Sequence, residues 1–404
     1  MANACKIVET STEYASIAEA VAALTEGQTI QMISDYAVIA DTNFDKTCTL
    51  DIAGKKLTAR LGTNPGRLNV TGGTFTLKDS VGEGSISIAS TETSNNTCLF
   101  TLVNDAKMIM EGGILNTDSK EVNPAYGWLA AIFVADNSSF EMSGGTMNGG
   151  YYCVTTNGSL STGTSIKISN GTLKSDRDYV IYAPDKSGTV EITGGTFVGG
   201  AGCVATNGSS LNVTGGNFTC TGTGDTGAFA GGDGTAGIPN AVIAAWGRYA
   251  TTEISITNGT FEAQGNANCI QISDWTPTTV EVTGGTFKAT GDTSEIVGMT
   301  TQSTGTAVTS TVAVSGGNYN KAVAEDYVAD GFEMKDDGTG NFSPVEKEEP
   351  VDPDPDPDPD PDDPDKPTEP VDLSKKASSF DILLMDNITM PPYNYTNKDW
   401  RREV

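Results

Sequence analysis

Between Leu68 and Tyr319 one pattern of apolar and polar residues recurs nine times. Its clearest copy is Val280-Glu281-Val282-Thr283-Gly284-Gly285-Thr286-Phe287. In every copy an apolar pair is spaced by one polar-side position: Leu68/Val70, Met108/Met110, Phe140/Met142, Ile166/Ile168, Val190/Ile192, Leu211/Val213, Ile254/Ile256, Val280/Val282 and Val312/Val314. This period-two alternation predicts a strand with one buried face. Two turn residues come next. The first is Gly, or Asn at Asn170 and Asn258; the second is Gly throughout. Asn is the non-Gly residue that best tolerates positive φ, and the invariant Gly predicts a bend whose second position excludes a Cβ. An apolar residue then returns, predicted to point inward: Phe75, Leu115, Met147, Leu173, Phe197, Phe218, Phe261, Phe287 and Tyr319.

A second strand recurs between the bends, as in Cys153-Val154-Thr155-Thr156 and Cys203-Val204-Ala205-Thr206. Uninterrupted bends are spaced in the low to mid twenties of residues, the length of one solenoid coil with two or three short strands. With these residues the sequence resembles the right-handed parallel β-helix of the pectin-lyase-like superfamily. The repeated Val-x-Val-Thr-Gly-Gly-Thr-Phe resembles the coils of adhesin-like β-helix proteins from gut bacteria and their phages. The resemblance spans roughly residues 28–330 and is specific for fold, weak for function. It implies an all-β chain, a single-stranded right-handed parallel β-helix solenoid.

The flanks divide the chain further. Residues 1–48 read as an N-terminal cap, with an amphipathic helix over 10–27 that Ser11 or Thr12 caps and Gly27 ends. Residues 49–330 form the β-helix and 331–344 a terminal cover. Residues 345–372 are an acidic linker in which Asp-Pro repeats from Asp352 to Pro361, favouring extended polyproline II. Residues 373–404 are too short for a core of their own. Their apolar and aromatic side chains Phe380, Ile382, Leu383, Leu384, Tyr393, Tyr395 and Trp400 read as a docking segment that orders on a partner.

Composition narrows the chemistry. The net charge of −28 repels nucleic acid and anionic membranes, so neither is expected as a partner. Without histidine there is no Ser-His-Asp or Cys-His catalysis and no His-ligated metal. The seven Cys occur singly, with no CxxC, and read as buried free thiols. No segment has the length of a membrane span, and residues 1–6 carry no apolar secretion signal.

Lyases of the resembled superfamily use an Arg or Lys base with carboxylates. The densest charged cluster, Asp176-Arg177-Asp178 with Asp185, is the candidate here. The outward positions Asn69, Lys167, Glu191, Asn212, Ser255, Glu281 and Ala313 read as scattered singles. No repeated Asp pair supplies the two carboxylates of a hydrolase, so a non-catalytic protein is expected. Two insertions interrupt the coils, 116–127 and 219–240. The second carries Gly231-Gly232-Asp233-Gly234, read as a loop and not as a calcium site. Aromatic residues beside the insertions, Tyr126 with Trp128 and Trp246 with Tyr249 and Trp275, are candidate sugar-stacking platforms. No metal or cofactor is implied. The expected role is a display or binding protein for surface glycans, held by its C-terminal segment in a larger assembly. A phage virion fibre or decoration protein leads, with a bacterial surface adhesin and then a polysaccharide lyase or hydrolase as alternatives. An oligomer is compatible with each.

Overall fold

The structure, a computed structural model, describes residues 2–38, 40–60, 66–88, 97–117, 129–156, 161–224, 235, 237–247, 250–301 and 309–348. Met1–Lys347 forms one compact unit. The acidic linker beyond Glu348 and the docking residues Phe380, Ile382, Leu383, Leu384, Tyr393, Tyr395 and Trp400 lie outside the described residues. So do Tyr126, Trp128 and Tyr249.

This unit is a parallel β-helix with three strand faces. The first face runs from Thr29–Met32 and Cys48–Asp51 through Ser165–Ile168, Thr189–Ile192 and Ser210–Val213 to the start of Thr311–Tyr319. The second face, after the bend, includes Thr172–Ser175, Thr196–Gly199, Asn217–Cys220 and Thr260–Ala263. The third face is a sheet of 10 strands, from Thr42–Phe44 to Val297–Thr300. On the first face each coil sits on the last with matched register: Ile166 opposes Val190, Val190 opposes Leu211, Ile254 opposes Val280 and Val280 opposes Val312. Register is held because a one-residue slip would turn every buried side chain to solvent.

Eight of the nine motif copies fill this frame; the copy at 68–75 does not. Leu68–Val70 lies on the third face, opposite Phe100 and Leu102, while Thr74–Lys78 starts the next coil on the first face, opposite Lys107–Met110. Its double glycine therefore turns a different corner. The local pattern was the same, but which corner it served depended on what it stacked on.

The bend itself differs in one respect from its predicted logic. The second glycine has φ between +87° and +128° in all eight in-frame copies, as the invariant Gly requires. The first position is not left-handed: Asn170 and Asn258 are absent from the non-Gly residues with positive φ. Glycine prevails there because of close approach, since a Cβ on Gly284 would overlap the carbonyl oxygen of Thr257 on the preceding coil. Next to the bend, the Ser169 and Thr257 hydroxyls donate to the Met142 and Val213 carbonyls one coil below. Gly285 shows both constraints, with φ +106° and a would-be Cβ 3.2 Å from the Gly259 carbonyl oxygen. Gly285→Ala is expected to cost about 2 kcal/mol in urea unfolding. A loss under about 0.5 kcal/mol would show that the bend relaxes freely.

Inside the coils the returning aromatics form a ladder. Phe197, Phe218, Phe261, Phe287 and Tyr319 stack with successive centroid separations of 4.6, 4.9, 4.6 and 5.0 Å and interplanar angles of 12° or less.

The ends are closed by antiparallel strands. Cys5–Ile7 pairs antiparallel with Thr29–Met32 and with Thr12–Tyr14, so the outer edge of the first parallel strand is not left open. The helix is shorter than the 10–27 predicted. It spans Ile17–Ala23, with Ser16 as its N-cap, and adds Ile17, Ala20 and Val21 to the core. Ser16 Oγ accepts from the Glu19 N–H at 3.1 Å and Glu19 Oε2 accepts from the Ala15 N–H at 3.3 Å. This Ser-x-x-Glu signature marked the true start, while Thr12-Glu13-Tyr14 was taken by strand pairing. At the other end Phe332–Asp336 and Phe342–Glu346 form an antiparallel hairpin, with Phe342 opposite Tyr319.

Candidate functional site

The outward residues of the first face line a groove. Alternation puts Lys167, Glu191, Asn212, Ser255 and Glu281 on the outer surface, and the register stacks them in one column: Lys167 opposes Glu191, Glu191 opposes Asn212, Asn212 opposes Ser255, and Ser255 opposes Glu281. A second column holds Ser165, Thr189 and Ser210, continued by Glu253 and its partner Thr279. Together they enclose an open groove of about 740 Å³. A smaller one of about 300 Å³ adjoins it, sharing Lys167 and Glu191 and extending to Glu141 and Ile109. Read from sequence these outward residues were scattered singles; the stacking makes them a continuous polar strip. Asn69 does not belong to it. It sits on the third face, where its amide donates to Asn43 Oδ1 at 2.8 Å.

Two cross-coil ion pairs cross the strip. Lys107 Nζ lies 2.8 Å from Glu141 and Lys167 Nζ 3.0 Å from Glu191. The hydrogen bond and charge of Glu191 hold the exposed Lys167 ammonium above its usual range. The strip offers hydroxyls, an amide and carboxylates on rigid strands about 4.8 Å apart. Such groups suit a polyhydroxylated ligand, since carboxylates and amides accept from sugar hydroxyls while Asn and Lys donate.

The charged corner at 176–185 is used differently. Asp178 is fully buried; its Oδ1 accepts from the Tyr179 N–H at 2.7 Å and its Oδ2 from the Thr235 hydroxyl at 2.8 Å. Asp185, also fully buried, accepts from the Thr164 N–H and hydroxyl and from the Ser187 N–H. Asp176 pairs with Lys174 at 3.1 Å. The Arg177 guanidinium lies 5.4 Å from the Tyr151 ring centre, within cation–π range. Asp178 and Asp185 thus anchor backbone corners. Among the described residues no three His, Cys, Asp or Glu side chains gather as a metal site. Gly231, Gly232, Asp233 and Gly234 fall outside them.

Of the aromatic candidates, Trp246 and Trp275 are brought together, with ring centres 6.3 Å apart and tilted by 43°. Trp246 is buried and Trp275 is 41% exposed. The turn beneath them is tied by Ser273 Oγ donating to the Trp246 carbonyl and Thr276 Oγ1 donating to the Gly247 carbonyl. The seven cysteines are all free and buried. Burial pushes the Cys48, Cys153, Cys220 and Cys269 thiols up to about 12, which leaves them protonated and unreactive at neutral pH. Among the described residues no helix is long and apolar enough to cross a membrane. Compared with known proteins, the chain matches no family model, no curated protein and no solved structure.

Proposed function

We propose that this chain is a non-catalytic binding protein of the pectin-lyase-like type, whose β-helix displays the first-face groove to surface glycans. The observation that carries the reading is the groove itself: about 740 Å³, open to solvent and lined by hydroxyl, amide and carboxylate groups fixed on stacked strands. Sites built on strands hold their geometry without loop ordering, which suits repeated capture of an extended chain. Trp275 at the other corner is a second contact for a sugar ring. The full chain is expected to bind immobilised oligosaccharides. Ser255→Trp, which fills the groove from an outward position, lowers that binding by more than tenfold with an unchanged circular dichroism spectrum. If no glycan binds, or if Ser255→Trp binds as well as the parent, the groove is not the site.

The tether in this proposal is the acidic spacer 345–372 followed by the docking segment 373–404. The 13 acidic residues of 346–372 stand against two lysines, and like charges favour an extended chain. The setting proposed is a phage virion, as a fibre or decoration protein; a bacterial surface adhesin is the same rod on another carrier. Virions are expected to carry the full chain and to lose it when residues 373–404 are removed. Recovery on bacterial cell walls instead would place it as an adhesin.

A further inference from the structure

We infer that the groove selects glycans bearing free amino groups, with Glu253 and Glu281 as the pair that receives the ammonium. The inference rests on the glycan-binding reading above. In the N-terminal half of the strip each carboxylate has its cation: Glu141 is met by Lys107 and Glu191 by Lys167. Past Asn212 the matching ends. Glu253 and Glu281 enter the groove wall on consecutive coils, and no ion pair among the described residues involves either. Glu253 opposes Thr279 and Glu281 opposes Ser255, so the two carboxylates lie on the diagonal of one four-residue patch. With strands about 4.8 Å apart and a rise of about 3.3 Å per residue, such diagonal neighbours lie on the order of 8 Å apart. That is too far for direct repulsion to be severe and close enough for one ammonium to approach both. Ser255 and Thr279, at the other two corners, supply hydroxyls for the sugar ring that carries the amine. The balanced half therefore fits neutral sugar units, and the unbalanced half fits a cationic one. An acidic glycan meets the wrong sign there, and also in the chain as a whole, at −28.

The test is calorimetric titration of the full chain with two hexamers of equal length, fully deacetylated glucosamine and fully N-acetylated glucosamine. The amino hexamer is expected to bind about tenfold more tightly at low salt, an advantage that shrinks at 0.5 M NaCl by screening. In Glu253→Gln/Glu281→Gln the ratio of the two hexamers' affinities should fall to about one. Both substitutions sit on exposed positions, so the melting temperature serves as the unchanged control. If the acetylated hexamer binds equally well, or the preference survives in the double variant, the inference is overturned and the glycan reading stands. If neither hexamer binds while another oligosaccharide does, the inference alone falls; if no oligosaccharide binds, both fall. Spermine binding as tightly as the amino hexamer would also overturn it, assigning the patch to bare polyamines.

Discussion

Phe261→Ala is expected to lower the free energy of unfolding by about 3–5 kcal/mol. The ring is fully buried and lies between Phe218 at 4.9 Å and 1° and Phe287 at 4.6 Å and 8°. Each stacked aromatic pair contributes about 0.5–1.5 kcal/mol beyond its buried area, and this substitution removes two such pairs and leaves a cavity in the middle of the ladder. The coil cannot close over that cavity. Its strands are held by register on both sides, at Asn217–Cys220 below and Thr286–Ala289 above. Coils of a solenoid contact only their neighbours, so the loss should concentrate in the coils around 218–287, seen as faster hydrogen exchange there. Urea unfolding followed by circular dichroism measures the size. A loss below about 1 kcal/mol would mean that the ladder is a consequence of the stacking and does little to stabilise it.

Asp178→Ala is expected to cost about 2–5 kcal/mol and to release the return limb of the 219–240 insertion. The carboxylate is fully buried and joins two parts of the chain that are 57 residues apart, the corner before Tyr179–Ala183 and Thr235. Thr235 gives its one hydroxyl proton to Asp178, so the Tyr152 hydroxyl, 3.2 Å away, donates to Thr235. Without the carboxylate the buried Tyr179 N–H and the Thr235 hydroxyl both lose an acceptor, and each unsatisfied group costs about 1–3 kcal/mol. A second anchor, the Tyr179 hydroxyl on the Pro239 carbonyl at 2.6 Å, remains, so the limb should loosen without the β-helix unfolding. The check is thermal melting together with hydrogen exchange at 235–240, with Asp178→Asn as the milder control because its amide oxygen can still accept one bond. Unchanged exchange in Asp178→Ala would show that the Tyr179–Pro239 bond and the packing of Ile238 suffice to hold the limb.

These two residues show how far the sequence could be read. Phe261 was legible: its place two residues after an invariant glycine, repeated coil after coil, predicted an inward aromatic, and the ladder follows once coils stack. Asp178 was misleading. Its neighbours Asp176 and Arg177 made a charged cluster that resembled chemistry, while its partners, Thr235 and the backbone of the same corner, are contributed by folding. The helix start was legible in Ser16-x-x-Glu19 but was hidden by the upstream Ser11-Thr12, of which Ser11 forms a turn and Thr12 opens a strand.

What the sequence determined by itself was the coil: alternation chose the buried face, the second glycine chose the bend, and the repeat chose a parallel β-helix. These are local rules, since each follows from one residue's side-chain direction or φ. What only the tertiary structure decided was which residues become neighbours across coils. The copy at 68–75 has the right local pattern and turns the wrong corner, because corner identity is set by stacking and not by the motif. Likewise Lys167, Glu191, Asn212, Ser255 and Glu281 are 20 or more residues apart along the chain in each step and carry no signal as a group. Coil length and insertions set their register. That register turns five unremarkable outward positions into the wall of one groove.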